Sequence, residues 1–495
     1  MPLTKIVCTL GPATEDPDVL RAMVRAGMTV ARLNFSHGTT DEKRRTAEMV
    51  RKVANEEGRH VALMGDLQGP KIRIGKLPAV GMLLVKDDEV TLTVEPTGAS
   101  QREIPFPHPE IIEDVKPGDR LLLDDGALEL VATAVVPNCL TCRVVVGGLL
   151  TSHKGVNLPG VNLHIEALTE KDQEDALTAL ELNLDYLALS FVRRAADVQT
   201  LRDYLLAHID GPMDRHVGED PHQIPGLVAK IEKPEALDDL EAIVRISDGL
   251  MVARGDLGVE IAPERVPLVQ KHMIHLCNSL GKPVITATQM LQSMVDLPRP
   301  TRAEASDVAN AILDGSDAVM LSGETSIGKY PVETVQMMAR IADYVEGAED
   351  FPYNHLLELP TDDGHKSEAE MITTAISSAT VALSRTPRVA AILCSTESGR
   401  TARIVARHRP RVSLLGITPF ASTARRMQLM WGVVPLVVKA FRTTDEMIQT
   451  MVCAAYQQRC VEVGDNVILT AGIPLEVHGV TNMVKIHTVR ETDIS

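Results

Sequence analysis

Three charged residues within one stretch are spaced for phosphate and metal chemistry. In residues 226–258, GLVAKIEKPEALDDLEAIVRISDGLMVARGDLG, Lys230 and Glu232 close one apolar run, and Arg254, Gly255 and Asp256 close the next. Strand residues two apart share a face, so Lys230 and Glu232 point the same way. Two carboxylates, Glu232 and Asp256, suit Mg2+ (or Mn2+), an ion that takes few protein ligands and keeps waters. A lysine beside that ion can neutralise charge on a transferring phosphoryl group, with Arg254 a further candidate cation. In isolation the same residues would read as surface ion pairs. Delivered together by the ends of neighbouring strands, they read as a site.

Further candidates follow the same logic. Arg32, Asn34 and Ser36 alternate along ARLNFSHG and share a face, and a buried polar face is costly unless it binds something. Arginine suits phosphate, the Asn and Ser oxygens suit a cation, and Asp66 at the next strand end joins them. The glycines around Asp256 make either an ordinary turn or a loop whose backbone N–H groups bind a substrate carboxylate. Thr288, after KPVITA, is a strand-end hydroxyl or part of that site. His37 reads equally as polar lining or substrate contact. Lys71 in DLQGPKIR reads as a solvated lysine unless a neighbouring anion recruits it. Residues 395–401, STESGRT, set Ser395, Thr396, Ser398, Gly399, Arg400 and Thr401 between a strand and a helix. Hydroxyls, a glycine and an arginine there make a phosphate cradle, although Glu397 in its middle disfavours a highly charged ligand. Cys139 and Cys142 have no second pair for zinc and lie in a strand pattern, so no role is read from them.

The elements that must position these residues alternate strongly. TKIVCTLG, MTVARLNFSHG and HVALMGDLQGP are strands, separated by the helices DPDVLRAMVRAG and TDEKRRTAEMVRKVANEEG. From about Lys71 to Ile165 the pattern turns to β alternation with turns at Pro117-Gly118 and Asp125-Gly126. Gly69-Pro70 and Leu158-Pro159-Gly160 bracket it as a hinge pair. The βα rhythm then resumes and yields eight strands and eight helices in all, which predicts a (β/α)8 TIM barrel over an open doubly wound sheet. Residues 211–225 read as a polar loop without an assigned role. The acidic stretch from about Glu346 to Gly364 reads as a linker to a separate α/β domain. The expected division is therefore 1–70 with 166–345 for the barrel, 71–165 for an inserted small all-β lid of β-barrel type, and 346–495 for the C-terminal α/β domain.

Composition bounds the partners. The chain has 495 residues, 44% hydrophobic, 3% aromatic, with a net charge of -17. Few aromatics and a negative charge argue against nucleic acid and anionic membranes. No apolar run is long enough for a membrane span, no secretory pattern opens the sequence, and the seven cysteines are scattered. A cytoplasmic location is the expectation.

Taken together, TKIVCTLGPAT, ARLNFSHG, GDLQGPKIR, KGVNLPG, AKIEKPEALDD, MVARGDLGVEI, ITATQML, PTRAEASDVANA and MLSGET resemble the pyruvate kinase family over nearly the whole chain. The resemblance implies phosphoryl transfer from phosphoenolpyruvate to ADP, giving pyruvate and ATP, by an enzyme commonly homotetrameric. It assigns Lys230 and Arg32 to the phosphoryl group and Glu232 and Asp256 to Mg2+. Gly255, Asp256 and Thr288 go to the carboxylate, and Phe191 to packing beside Lys230. Lys154 in KGVNLPG, with His37 and Arg32, falls on the nucleotide side. Family members that need K+ hold it near the equivalents of Asn34, Ser36 and Asp66 and carry Thr-Lys, then Glu, where this chain has Leu67-Gln68 and Lys71. The lysine-bearing branch is K+-independent, so K+ is expected to be dispensable here. The STESGRT loop matches the effector site, with a sugar monophosphate or AMP favoured over fructose 1,6-bisphosphate. Two other classes compete: a Mg2+-dependent barrel lyase acting on pyruvate enolates, and a non-catalytic metabolite sensor.

Overall fold

The computed structural model describes residues 2–96, 102–161, 163, 165–209, 220, 222–353, 367–474 and 480–494. Eight parallel strands close into a barrel: Lys5–Thr9, Val30–Asn34, Ala62–Asp66, Tyr186–Leu189, Gly226–Ile231, Gly249–Ala253, Val284–Ala287 and Ala318–Leu321. The strand period of two explains both their burial and the site they carry. Val7, Val30, Met64, Ala188, Val228, Met251 and Met320 point inward and pack as one cluster. The alternate residues, among them Ile6, Leu33, Leu63, Leu187, Ala229, Val252 and Leu321, pack outward against the helices. Strands buried on both faces read as continuous apolar runs, as these do. The inward file continues past its apolar part: Val30 leads to Arg32 and Asn34, Met64 to Asp66, and Val228 to Lys230 and Glu232. One register therefore sets both the apolar interior and the charged mouth. Outer helices Thr40–Glu56, Glu170–Glu181 and Arg302–Leu313 each begin on a threonine capping box, which satisfies their first free amides.

The insert after Asp66 has its own core, with Leu92, Ile104, Phe106, Leu121, Leu130 and Val144 fully buried. A closed lid barrel was the expectation. The strands instead form a six-stranded sheet and a two-stranded ribbon, Met82–Leu84 with Gly148–Leu150. The outer members of the larger sheet, Val156–Asn157 and Glu103–Pro105, do not pair with each other, so it stays open. One short helix, Pro109–Asp114, joins the β elements.

The C-terminal domain is a five-stranded sheet ordered Val433–Val437, Ser413–Thr418, Val389–Ser395, Asn466–Ala471, Met483–Thr488. The last strand is an antiparallel edge. It and the helix Thr444–Gln457 escaped the sequence reading, the strand because MVKIHT has no buried residue to mark an apolar face. This domain closes the barrel floor. Leu429 joins the inward barrel cluster, Arg409 pairs with Asp317 at 3.1 Å and stacks over Trp431, and Arg425 pairs with Asp185 at 2.8 Å.

The start of the expected linker is not a free tether. Buried Glu346 accepts hydrogen bonds from the Leu3 and Thr4 amides and the Thr4 hydroxyl, and Phe351 stacks on Trp431. Burying aromatic surface and pairing backbone amides outweighs the acidic composition there. Residues 354–364 of that linker lie outside the described residues, as does most of the polar loop at 211–225. Among the described residues no helix is long and apolar enough to cross a membrane.

Lys5 points down the floor and donates to the Val433 carbonyl at 2.8 Å. Burial pulls its ammonium down to about 8, against the opposing pull of Glu346. Between that value and the ordinary 10.5, the unfolded chain keeps a proton that the folded chain has lost, so folding stability from this group rises with pH. Relative to Lys5→Met, the wild type should gain about 3 kcal/mol across that window. Denaturant unfolding of both proteins at several pH values checks it, and a constant difference would contradict it.

Candidate active site

Asp66 lies at the centre of the barrel mouth with 1% of its surface exposed. Its Oδ2 accepts from Arg32 Nε at 2.6 Å, and its Oδ1 faces Lys230 Nζ at 3.1 Å. Lys230 Nζ also meets Glu232 Oε1 at 2.9 Å and donates to Ser190 Oγ at 2.7 Å. The Ser190 hydroxyl donates in turn to the Leu67 carbonyl at 2.6 Å. Arg32 Nη1 donates to Thr9 Oγ1 at 2.9 Å, and Glu232 Oε2 accepts the Phe191 amide at 2.8 Å. Five strand ends thus share one network, and each member has a partner.

The electrostatics follow from that geometry. Burial pushes the Asp66 carboxyl up, but Arg32 and Lys230 overcome it and hold the group below the usual carboxylate range. Burial alone would pull Lys230 down, but Asp66 and Glu232 hold its ammonium above the ordinary lysine value. Glu232 is raised, by burial first and by repulsion from Asp256, with Lys230 opposing. The Asp256 carboxylate, half-buried on the short helix Arg254–Glu260, makes no hydrogen bond or ion pair among the described residues. Two mutually repelling carboxylates, one of them unpaired, fit a divalent cation. Among the described residues no three His, Cys, Asp or Glu side chains converge as a metal cluster.

Thr288 and Phe191 adopt left-handed backbone angles, φ +67° and +55°. For a β-branched residue this is a costly conformation, held only where the surroundings dictate it. Here the Thr288 carbonyl accepts from Arg254 Nη2 at 2.8 Å, and its Oγ1 accepts the Gly255 amide at 2.8 Å. The Arg254 guanidinium is otherwise engaged by Asp307 at 2.7 Å and the Ala287 carbonyl at 3.2 Å. It braces the loop that presents Thr288.

The mouth cavity is lined by Arg32, Asn34, His37, Asp66, Lys230, Asp256 and Thr288, with Thr9 and Ser322. Ser36 caps its own loop, its amide donating to Asn34 Oδ1 at 3.1 Å. Glu324, just beyond the strand Ala318–Leu321, accepts the Leu291 and Ser322 amides from full burial. Lys71 is exposed and lines an adjoining cleft beneath the insert, with Asp125, Phe191, Lys233 and Asp256, not the cavity of Asn34 and Asp66. Lys154 is held on the insert by Asp124 at 2.7 Å. The Phe191 ring lies under Lys233, 5.8 Å from its ammonium. In the C-terminal domain Gly399 takes φ +83°, its amide donates to Thr396 Oγ1 at 2.9 Å, and Thr401 meets Thr481 at 2.9 Å. Arg400 reaches Glu370 at 3.3 Å, the Glu397 carbonyl accepts from Thr423, and Ser395 and Ser398 complete the loop. Ser190 and Thr9 escaped the sequence reading. A single hydroxyl at a strand end carries no distinguishing spacing, and only the closed barrel shows that it faces Lys230 or Arg32.

Comparison with known proteins gives one family throughout. Residues 1–335 match the pyruvate kinase barrel domain, and residues 374–487 match the pyruvate kinase alpha/beta domain. A pyruvate kinase of Sporosarcina psychrophila is 44% identical over 488 residues, 98% of this chain and 80% of the relative. Pyruvate kinase 2 of Synechocystis is 44% identical over 495 residues, 98% of this chain and 79% of the relative. The crystal structure of a pyruvate kinase from Cryptosporidium parvum superposes with a TM-score of 0.88 at 33% identity, covering 98% of this chain and 96% of that one.

The Asp66 network makes a stability prediction independent of any activity. Asp66→Asn keeps the shape but leaves Arg32 facing Lys230 without the shared carboxylate. Breaking a buried pair this way should cost about 3 kcal/mol, seen as a lowered thermal midpoint. An unchanged midpoint would contradict the network's role.

Proposed function

The chain belongs to the pyruvate kinase family and is a phosphotransferase, and from that premise we propose that it transfers the phosphoryl group of phosphoenolpyruvate to ADP at this barrel mouth. The observation that carries the reading is the Lys230 ammonium, fixed between Asp66 and Glu232 beside Arg32 in one cavity. In the reaction the P–O bond to the enol oxygen breaks and a P–O bond to a terminal ADP oxygen forms. The enolate left behind takes a proton at its methylene carbon, giving pyruvate. Charge in such a transfer spreads over the equatorial phosphoryl oxygens, so fixed cations act chiefly in the transition state. Lys230 and Arg32 supply them with little rearrangement, because Asp66 already holds both and only the Lys230 contact with Glu232 has to open.

Glu232 and Asp256 are the pair that would hold Mg2+ (or Mn2+), which when bound neutralises oxygens of the phosphoryl group and the enolate. The amides of Gly255 and Asp256, with Thr288, would take the substrate carboxylate. The Gly255 amide must exchange Thr288 Oγ1 for a substrate oxygen to do so. Arg254 acts by holding Thr288. Lys154 on the insert and His37 at the mouth serve the nucleotide. ATP formation from phosphoenolpyruvate and ADP, followed in a coupled assay, tests the reading. Lys230→Met should lower turnover by about a thousandfold with the fold retained, and residual turnover near wild type would contradict the assignment.

Two finer readings share one kinetic experiment. K+ is dispensable on the lysine-bearing pattern alone: Lys71 is exposed in the adjoining cleft, and its ammonium would have to turn toward the cavity of Asn34 and Asp66 to replace the ion's charge. Turnover in rigorously K+-free buffer should match that with K+, and a many-fold rise on adding K+ would contradict this. The loop of Ser395, Thr396, Ser398, Gly399, Arg400 and Thr401 supports a sugar monophosphate or AMP as activator, because Glu397 opposes a second phosphate. Ribose 5-phosphate, glucose 6-phosphate or AMP should sharpen substrate saturation in the same assay. No response to any of them would remove the activation reading.

A further inference from the structure

Glu260 is a buried carboxylate that the phosphoryl-transfer reading leaves without a task. It ends the short helix Arg254–Glu260, one turn beyond Asp256. Its Oε1 accepts from Lys233 Nζ at 2.5 Å and from Asn157 Nδ2 at 2.8 Å. The two donors come from different bodies. Lys233 directly follows Glu232 on the barrel. Asn157 belongs to the insert, on the strand Val156–Asn157 that pairs with Arg120–Leu123.

The contact reaches both metal-facing carboxylates. Lys233 lies over the Phe191 ring, and the Phe191 amide donates to Glu232 Oε2. Gly69, at the first connection to the insert, is pressed on the same ring, where an added Cβ would stand 2.6 Å from Phe191 Cδ2. At the second connection Arg193 donates to the Leu163 carbonyl at 2.5 Å and to the Ile165 carbonyl. Both connections are therefore tied down at the barrel. The bond from Asn157 differs because it joins a strand of the insert's own sheet to the helix that carries Asp256.

We propose that Asn157, Glu260 and Lys233 form a latch that makes the seating of the insert a condition for placing Asp256 and Glu232. They are positioning residues, and the proposal rests on the phosphotransferase reading of the mouth. With Asn157 seated, the buried carboxylate has two donors in a low-dielectric pocket, where charge-assisted hydrogen bonds are strong. With the insert withdrawn it keeps only Lys233, and the helix loses one of the contacts that fix it. The two arrangements thus differ in free energy at a contact that the insert shares with the site, which is what coupling requires.

Asn157→Ala and the isosteric Asn157→Asp test this. Aspartate keeps the packing, cannot donate when ionised, and sets a second negative charge against Glu260. The expected result is a kcat about tenfold lower for Asn157→Ala and lower still for Asn157→Asp, as a misplaced site produces. KM for phosphoenolpyruvate should stay within about twofold, which separates placement from ground-state binding. Hydrogen exchange of the amides at 254–260 should quicken in both variants while the thermal midpoint holds. Wild-type kcat and exchange in Asn157→Asp, or a loss confined to KM, would overturn the latch. If the wild type itself forms no ATP from phosphoenolpyruvate and ADP, the phosphotransferase reading fails instead, and the exchange comparison still decides the latch.

Discussion

The mouth of this barrel depends on a single buried carboxylate, Asp66. Two cations converge on it, Arg32 at 2.6 Å and Lys230 at 3.1 Å. Neither could be buried alone, because an unpaired ion in a low-dielectric interior costs several kcal/mol, on the order of its lost hydration. Asp66 lets both sit charged, side by side, facing a cavity. That is the arrangement a transferring phosphoryl group needs, and it exists before any substrate arrives. Preorganised charge of this kind reorganises little during reaction and so contributes most in the transition state.

The rest of the fold serves that carboxylate. Strand pairing sets Asn34 beside Asp66 and Thr9 beside Arg32, so neighbouring strands deliver their polar ends at one level. The C-terminal domain closes the opposite end: Leu429 joins the barrel's inward cluster, the Val433 carbonyl accepts from Lys5, and Arg409 pairs with Asp317. Two of the left-handed non-glycine residues, Phe191 and Thr288, lie at strand ends that face the site. Each is locked by a bond to a site residue, Glu232 for Phe191 and Gly255 for Thr288.

Much of this was legible in the sequence because period-two alternation runs straight from apolar to charged residues within single strands. Lys230 with Glu232, and Arg32 with Asn34, needed no structure to be put on one face. The eight βα units were legible for the same reason. What stayed hidden depends on contacts between distant segments. Ser190 and Thr9 are ordinary hydroxyls until the barrel closes on Lys230 and Arg32. Asn157 and Glu260 are 103 residues apart and meet only because the insert folds back. The packed start of the presumed linker, at Glu346 and Phe351, was masked by its acidic composition. Lys71 is a placement that local sequence could not fix, since its loop leaves the barrel at Gly69, where φ is +66°.

The charge pattern has one consequence that diffraction can read directly. Lys230 occupies Glu232 Oε1 in the structure, while Asp256 is unpaired among the described residues. Crystals grown with Mn2+ and oxalate, an analogue of the pyruvate enolate, should show an anomalous peak bonded to Glu232 and Asp256. Lys230 should then be turned toward the bound anion. A peak held away from both carboxylates, with Lys230 still closed on Glu232, would contradict a phosphoryl-transfer mouth.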